Sequence, residues 1–505
     1  MFRFRREVYL DNNATTKVDK KVVKAVDYVL RNCYGNPSSL YKDARNSAEK
    51  LEESRLKVAE TINADPHEIF FTGSASEANN AILKSVSGHF YPARKKIVST
   101  PIEHASVMNT LEFLKTQGMQ VEYIHVDSRG RILPDKLEDM IDDNTCLVCC
   151  MLANNEIGTV QDIQRVSRLA RKHDVLVMSD CVQALGKVHV DVKDLGIDYA
   201  SFSAHKIHGP KGVGALFVKH GRPFTPLIHG GHQEQGLRAG TESLHNIAGL
   251  ATACSNIEEM LSQSQRVLQL KNLFVEELGK IKTDMVVNSP EEACLPNTVN
   301  ITLPRVNNAV LMAMLDYNGI SVSAGSACNT QDDKPSHVLK AIGLSDQATR
   351  ETIRFSLSTD TSEQDIKYVV KILEEYFEGN QVPVSIITPR QLDEDLLFND
   401  DTYILDVRFW YDREILKGLP NSHEASFVSI KKYVDVIPRD KNILVVCQMG
   451  YGAAVIAYYL VSEHFKNVSF LLSGMVGWKL SNGELYRKYA GKNIEKLRPG
   501  SLLQS

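Results

Sequence analysis

Long apolar runs are missing from this chain, and with them any reason to expect a helix that crosses a bilayer. The first residues, MFRFRREVYLD, hold two basic pairs but no apolar stretch of signal-peptide length, so no secretory leader is expected. Neither charge dominates. Lys and Arg number 58, Asp and Glu 62, and the net charge of −4 is well mixed along the chain. That argues against a membrane surface or direct nucleic-acid binding. There is no internal repeat and no low-complexity tract. The nine cysteines are an odd number, and several sit in strand-like runs such as CLVCCML. They read as free thiols in a reducing cytoplasm, not as a disulfide frame.

With 505 residues, 43% of them apolar, the chain has room for about three domains with full cores. Apolar residues recur at helical spacing at Ala48, Leu51, Val58 and Ile62, and again at Ile163, Val166 and Ala170. Between such patterns lie buried-strand runs: LVCCML, VLVMSD, YASFS and GALFV. The alternation predicts an α/β domain built on a mostly parallel sheet. A long helix pattern from about residue 255 leads into a smaller α+β region. The expected boundaries are a large domain at 1–255 that includes the N-terminal segment, a small domain at 256–376 and a linker at 377–387. A second α/β unit follows at 388–490, with a polar tail at 491–505.

In open parallel sheets, ligands gather at the carboxyl ends of the strands. Asn154 and Asn155, Asp180, and the group Ser203, His205 and Lys206 all fall at such ends. Pyridoxal phosphate asks for this assortment: a lysine for an imine, an acid for the pyridine nitrogen, a phosphate cup, and a group against the ring. Lys206 can supply the imine and Asp180 the acid. The loop TGSASEANN, at 72–80, can open a helix whose first amides and hydroxyls hold phosphate. His104 can lie on the ring. Taken singly, each has a plainer reading: a surface lysine, a helix cap, or a capping box joining Ser74 and Glu77. His205 and His208 lack further ligands for a metal. The joint order along one chain favours the cofactor.

These residues sit in longer motifs: YLDNNATT at 9–16, YGNPSS at 34–39, EHASV at 103–107 and NNEIGTVQDI at 154–163. SDCVQALGK, SAHKIHGPKGVGAL, LRAGTES, GSACNT and IRFSLS follow. Over its first ~375 residues the chain resembles the NifS/IscS-like cysteine desulfurases, fold-type I, class V pyridoxal-phosphate enzymes that serve iron–sulfur assembly. The resemblance implies that Lys206 forms the internal aldimine and acts as Cα base. It gives Asp180 to the pyridine nitrogen, Gln183 to the phenolic oxygen and His104 to ring stacking and proton shuttling. Ser76, Ser203 and His205 would hold the cofactor phosphate, with Thr241 reaching over from the partner subunit of a homodimer, and Ala75 would also bind the cofactor. Asn155 and Arg354 would grip the carboxylate of L-cysteine. Cys328, among small residues before a polar run, would attack the substrate sulfur, release alanine and carry a persulfide. Departures from the family pattern include Leu40-Tyr41, Ala44, the order Gly73-Ser74, Ser76 where threonine is usual, and Ala239.

The last unit resembles a rhodanese domain through ILDVR (404–408), SHEAS (422–426), CQMGYG (447–452) and LSGMVGW (472–478). Its loop should turn backbone amides toward Cys447 and lower the thiol pKa. Gly452 stands where the family often has arginine, which disfavours thiosulfate and suits a thiol fed by its neighbour. The expected path runs from cysteine to Cys328, to Cys447, and on to a sulfur-acceptor protein such as an iron–sulfur scaffold or thiolation factor. A selenocysteine lyase or another β-eliminating enzyme, and a docking platform with a silent active site, are the alternatives.

Overall fold

The computed structural model describes residues 6–325, 335–379 and 384–497. Cys328 lies outside the described residues. The runs read as strands become Thr145–Cys149, Leu176–Asp180, Tyr199–Ser203 and Gly214–Val218, every residue of them buried. They belong to a seven-stranded sheet that also holds Ile69–Thr72, Lys96–Ser99 and Gln120–Tyr123. All its pairings are parallel except those of Gly214–Val218, which runs antiparallel to both neighbours. The helical periodicities also hold: Leu51 and Val58 are buried on Lys42–Thr61, and Ile163, Val166 and Ala170 on Ile163–Lys172. Their apolar faces close the core on the sheet.

The pattern from residue 255 becomes two helices, Ile257–Ser262 and Ser264–Ile281, which lead to the antiparallel strands Val286–Val287, Thr298–Thr302 and Thr352–Ser356. The N-terminal segment corrects the expected boundary. Its strand Val8–Tyr9 pairs with Ile320–Ser321 of the small domain, not with the large one.

The C-terminal unit is a six-stranded, wholly parallel sheet. Two of its strands fall outside the limits 388–490. Val384–Ile387, in the expected linker, pairs with Val468–Leu471 as the edge of that sheet, with Val384 buried in the core. Glu495–Lys496, in the expected tail, pairs with Ser422–Glu424.

This unit is not merely tethered. Helix Asn308–Tyr317 of the small domain packs along helix Tyr451–Ser462, and one continuous hydrophobic cluster runs through both. At the seam the rings of Tyr317 and Tyr458 lie 5.5 Å apart. The second helix is apolar on nearly every side, as a helix sandwiched between its own sheet and a neighbouring domain must be. Among the described residues no helix is long and apolar enough to cross a membrane.

Both tryptophans, Trp410 and Trp478, lie in the C-terminal unit, so their fluorescence reports on that unit alone. Tyr458→Ala removes a large ring from the seam and is expected to cost on the order of 3–5 kcal/mol. Urea unfolding followed by tryptophan emission should then shift to clearly lower urea. An unchanged midpoint would mean that the seam contributes nothing to the unit's stability.

Candidate active site

The strand ends deliver their side chains to one cavity of about 240 Å³. Ile69–Thr72 runs into Ser74, whose hydroxyl accepts from the Glu77 amide and starts helix Ala75–Phe90. The Glu77 carboxylate reaches back to the Gly73 amide, one residue short of a strict capping box. Ala75 and Ser76 thus stand in the first turn, where backbone N–H groups lack partners. Leu176–Asp180 ends on Asp180, and Tyr199–Ser203 passes into the short helix Ala204–Lys206. Of the residues singled out from the sequence, Ala75, Ser76, His104, Asn155, Asp180, Gln183, Ser203, His205, Lys206 and Arg354 all line this cavity. Thr241 is exposed and does not line it.

Lys206 donates from Nζ to the main-chain carbonyls of Asn13 (2.6 Å) and Ala14 (2.8 Å). The Asp180 carboxylate is held at both oxygens, by Asn79 Nδ2 at 2.9 Å and the Val182 amide at 3.0 Å. His104 caps helix Ala105–Thr116 by accepting the Ser106 amide on Nδ1, which leaves the ring hydrogen on Nε2. Burial, together with Lys206 and His337, holds its pKa below the usual histidine value against the pull of Asp180. His205 is pushed down to about 4, first by burial and then by the charges of Lys206 and Lys211. Both rings are neutral at physiological pH. Arg354 is 1% exposed, donating to the Asn155 carbonyl at 3.0 Å and to Asp11 Oδ1 at 2.7 Å.

Two features fit pyridoxal phosphate and its substrate. First-turn amides, the hydroxyls of Ser76 and Ser203 and the His205 imidazole offer hydrogen bonds around one point without a fixed charge. Arg354 Nε is buried with no acceptor of its own. Sequence reasoning missed Asp11, Asn13 and Asn79, which hold Arg354, Lys206 and Asp180 respectively. Asp11 and Asn13 stood in a motif already singled out, YLDNNATT, but their roles depend on contacts made hundreds of residues away.

Cys447 is 8% exposed at the N-terminal end of helix Tyr451–Ser462. The amides of Gly450 and Ala453 donate to its sulfur, each at 3.1 Å. The expected lowering of its pKa is overturned. The amides do pull it down, but burial outweighs them and Asp406 adds to the rise, so the thiol sits above its ordinary value. A Cβ on Gly452 would lie 3.4 Å from the Phe427 ring and 3.6 Å from the Cys447 sulfur. An aromatic wall, not a cation, therefore borders the thiol.

Residues 8–369 match the family model described as Aminotransferase class-V, and residues 388–481 match the Rhodanese-like domain. The chain is 39% identical over 375 residues to "Cysteine desulfurase IscS" of Dictyoglomus turgidum, a match covering 74% of this chain and 95% of that protein. To the protein of the same name from Methanosarcina thermophila it is 37% identical over 387 residues, 76% of this chain and 95% of the other. Among solved structures, a "NIFS-LIKE PROTEIN" superimposes with a TM-score of 0.70 at 39% identity, covering 74% of this chain and all of its own. "SspA in complex with cysteine" does so at 0.63 and 34%, covering 70% and 99%. The chain belongs to the class-V aminotransferase family, whose enzymes depend on pyridoxal phosphate. Within that family it falls among the cysteine desulfurases, with a rhodanese-like domain joined to its C-terminal end.

Beneath the site lies Glu103, wholly buried, accepting from Thr100 Oγ1 at 2.6 Å and the Met151 amide at 2.8 Å. Its second oxygen has no partner. Burial raises its pKa to about 7 from 4.5. A raised folded-state value means stability that is full below pH 4.5 and is lost as pH climbs through 7. Glu103→Gln should remove that loss. The check is urea unfolding of both proteins at pH 5 and pH 8: wild type is expected to weaken relative to the variant at the higher pH, and a constant difference would refute the assignment.

Proposed function

We propose that the protein takes sulfur from L-cysteine onto Cys328, releasing L-alanine, and passes it to Cys447 for delivery to a sulfur-acceptor protein. The observation that carries the first half is the single cavity in which Lys206, Asp180 and His104 face the Arg354–Asn155 pair. The SspA structure, 34% identical, was solved with cysteine, which supports that substrate. Pyridoxal phosphate, when bound, supplies the electron sink that makes the substrate Cα proton acidic. Asp180, fixed at both oxygens, would hold a proton on the ring nitrogen, and Gln183 would serve the phenolic oxygen. Ala75, Ser76, Ser203 and His205 take the phosphate. In a homodimer the exposed Thr241 would add a hydroxyl from the partner subunit.

Arg354 offers its fork to the substrate carboxylate, and Asp11 keeps the guanidinium from swinging away. Lys206 takes the Cα proton. His104, neutral with hydrogen on Nε2, is suited to pass protons at the substrate. The Cys328 thiolate then attacks the substrate sulfur. The Cβ–S bond breaks, an S–S bond forms, and protonation of the carbon skeleton yields alanine.

For the second half, the Cys447 thiolate attacks the outer sulfur of the Cys328 persulfide. One S–S bond breaks as another forms, and Cys328 leaves as thiolate. The seam between the two units supports this transfer. Tyr451, on the helix that cups Cys447, is pushed up to about 12 by burial, with the charges of Asp316 and Asp11 adding to the rise. Asp11 also binds Arg354. The N-terminal end of that helix thus lies within electrostatic reach of Asp11, the residue that holds Arg354. The apolar wall at Phe427 suits a neutral persulfide better than a thiosulfate dianion.

Cysteine fed to the holoenzyme, followed by alkylation and mass spectrometry, should show persulfide on both thiols. Cys447→Ser should keep alanine formation within about threefold, whereas Cys328→Ser should lower both alanine and the Cys447 persulfide by about a hundredfold or more. Undiminished persulfide on Cys447 in the second variant would break the order of transfer. Because burial holds the Cys447 thiol above its ordinary pKa, the rate of sulfur arrival there should still be climbing at pH 9. A plateau near neutral pH would contradict that reading.

A further inference from the structure

Directly behind Lys206 lies a second amine. Lys187 is 9% exposed and sits four residues beyond Gln183, in the turn that follows Asp180. Its Nζ donates to Gln183 Oε1 at 2.6 Å and to Asn13 Oδ1 at 3.2 Å. No carboxylate pairs with it among the described residues; the charges that act on it are those of Lys206 and Arg354, both of its own sign. Burying an amine without an acid is costly, and a glutamine or methionine would cost less there. What Lys187 does have is a place in the network that ends on Lys206.

The bonds run in one direction. Lys187 occupies the oxygen end of the Gln183 amide. The nitrogen end is therefore the donor, and it points to the Asn13 carbonyl at 2.9 Å. That same carbonyl receives Lys206 Nζ at 2.6 Å. The Asn13 side chain is fixed in turn by Asn297 Nδ2 on its oxygen, at 3.1 Å, and through its own amide by Thr298 Oγ1, at 2.8 Å. Lys187 and Lys206 also share a small cavity of about 30 Å³. Burial, followed by the charges of Lys206 and Arg354, holds the Lys187 pKa well below the usual lysine value.

We propose that Lys187 is a positioning residue for Lys206 and Gln183: it sets which end of the Gln183 amide faces the cofactor and holds the Asn13 carbonyl that receives the Lys206 amine. This rests on the reading above that Lys206 forms the Schiff base. With the Gln183 nitrogen on the side of the Asn13 carbonyl and Lys206, its second N–H would be the one to donate to the phenolic oxygen. A donor at that oxygen makes the neighbouring Schiff-base nitrogen give up its proton at lower pH. The other titratable groups facing this region are Asp180, His104, His205, His208, Lys211 and Arg354 with its partner Asp11. All of them stay in place in the variants below.

The readout is the pH midpoint at which the yellow band of the holoenzyme changes, measured without substrate. Lys187→Met is expected to raise that midpoint by about one pH unit, a tenfold change in proton affinity. Gln183→Ala should raise it similarly, and the double variant no further, since the lysine acts through the glutamine. Lys187→Arg, which can extend into the small cavity, keeps a donor and should leave the midpoint at or below that of wild type. It also serves as the measurement if Lys187→Met does not fold. An unmoved midpoint in Lys187→Met, an undiminished effect in the Gln183→Ala background, or a raised midpoint in Lys187→Arg would overturn the proposal. Borohydride trapping on wild type separates this from the underlying assignment. Label on a peptide other than that of Lys206 would remove the Schiff-base reading itself, whereas label on Lys206 with no midpoint shift would remove only the role of Lys187.

Discussion

One asparagine ties the desulfurase together. Asn13 receives Lys206 and Gln183 on its backbone oxygen and Lys187 and Asn297 on its side-chain oxygen. Its side-chain amide donates to Thr298 and to the Asn155 carbonyl, and its backbone amide donates to the Ser356 hydroxyl. The N-terminal segment, the ends of the large sheet and two strands of the small domain therefore meet at a single buried residue. Buried polar groups must be satisfied, and here the bonds of Asn13 to Lys206, Gln183 and Asn155 also place residues of the site. Where the Lys206 amine rests is thus set jointly by both domains.

The same logic explains the charges. Arg354 is almost completely buried, yet Asp11 compensates it, and its Nε is left without an acceptor. His104 and His205 are kept neutral by burial beside cationic neighbours. The cavity can therefore offer hydrogen bonds to a phosphate without collapsing its own charge balance. In the rhodanese-like unit the balance differs. Two amides at 3.1 Å are not enough to offset the burial of Cys447, so that thiol is shielded first and activated second.

Much of this could be read from residue order. The buried strands announced themselves as unbroken apolar runs, because strands covered on both faces have no polar side to show. Polar residues closing those runs marked the cavity, and ten of the expected residues line it. What the order could not show was long-range. Asp11 finds Arg354 across more than three hundred residues, and Val8–Tyr9 leaves the large domain to pair with Ile320–Ser321. The strand Val384–Ile387 passed for a linker because four residues with proline and glutamine just before them carry little periodic signal. The thiol of Cys447 was misjudged for a related reason: sequence shows the loop that lowers a pKa but not the depth that raises it.

The apolar seam between Asn308–Tyr317 and Tyr451–Ser462 separates this chain from the relatives named above. Their matches span about three quarters of this chain but 95% or more of their own length, so they end where the rhodanese-like unit begins. In this chain the helix Asn308–Tyr317 is an internal wall between the two units. Cutting the rhodanese-like unit free at its connecting peptide would leave a greasy helix with nothing to lean on, so the two units join as a pair of matched surfaces and not as beads on a string.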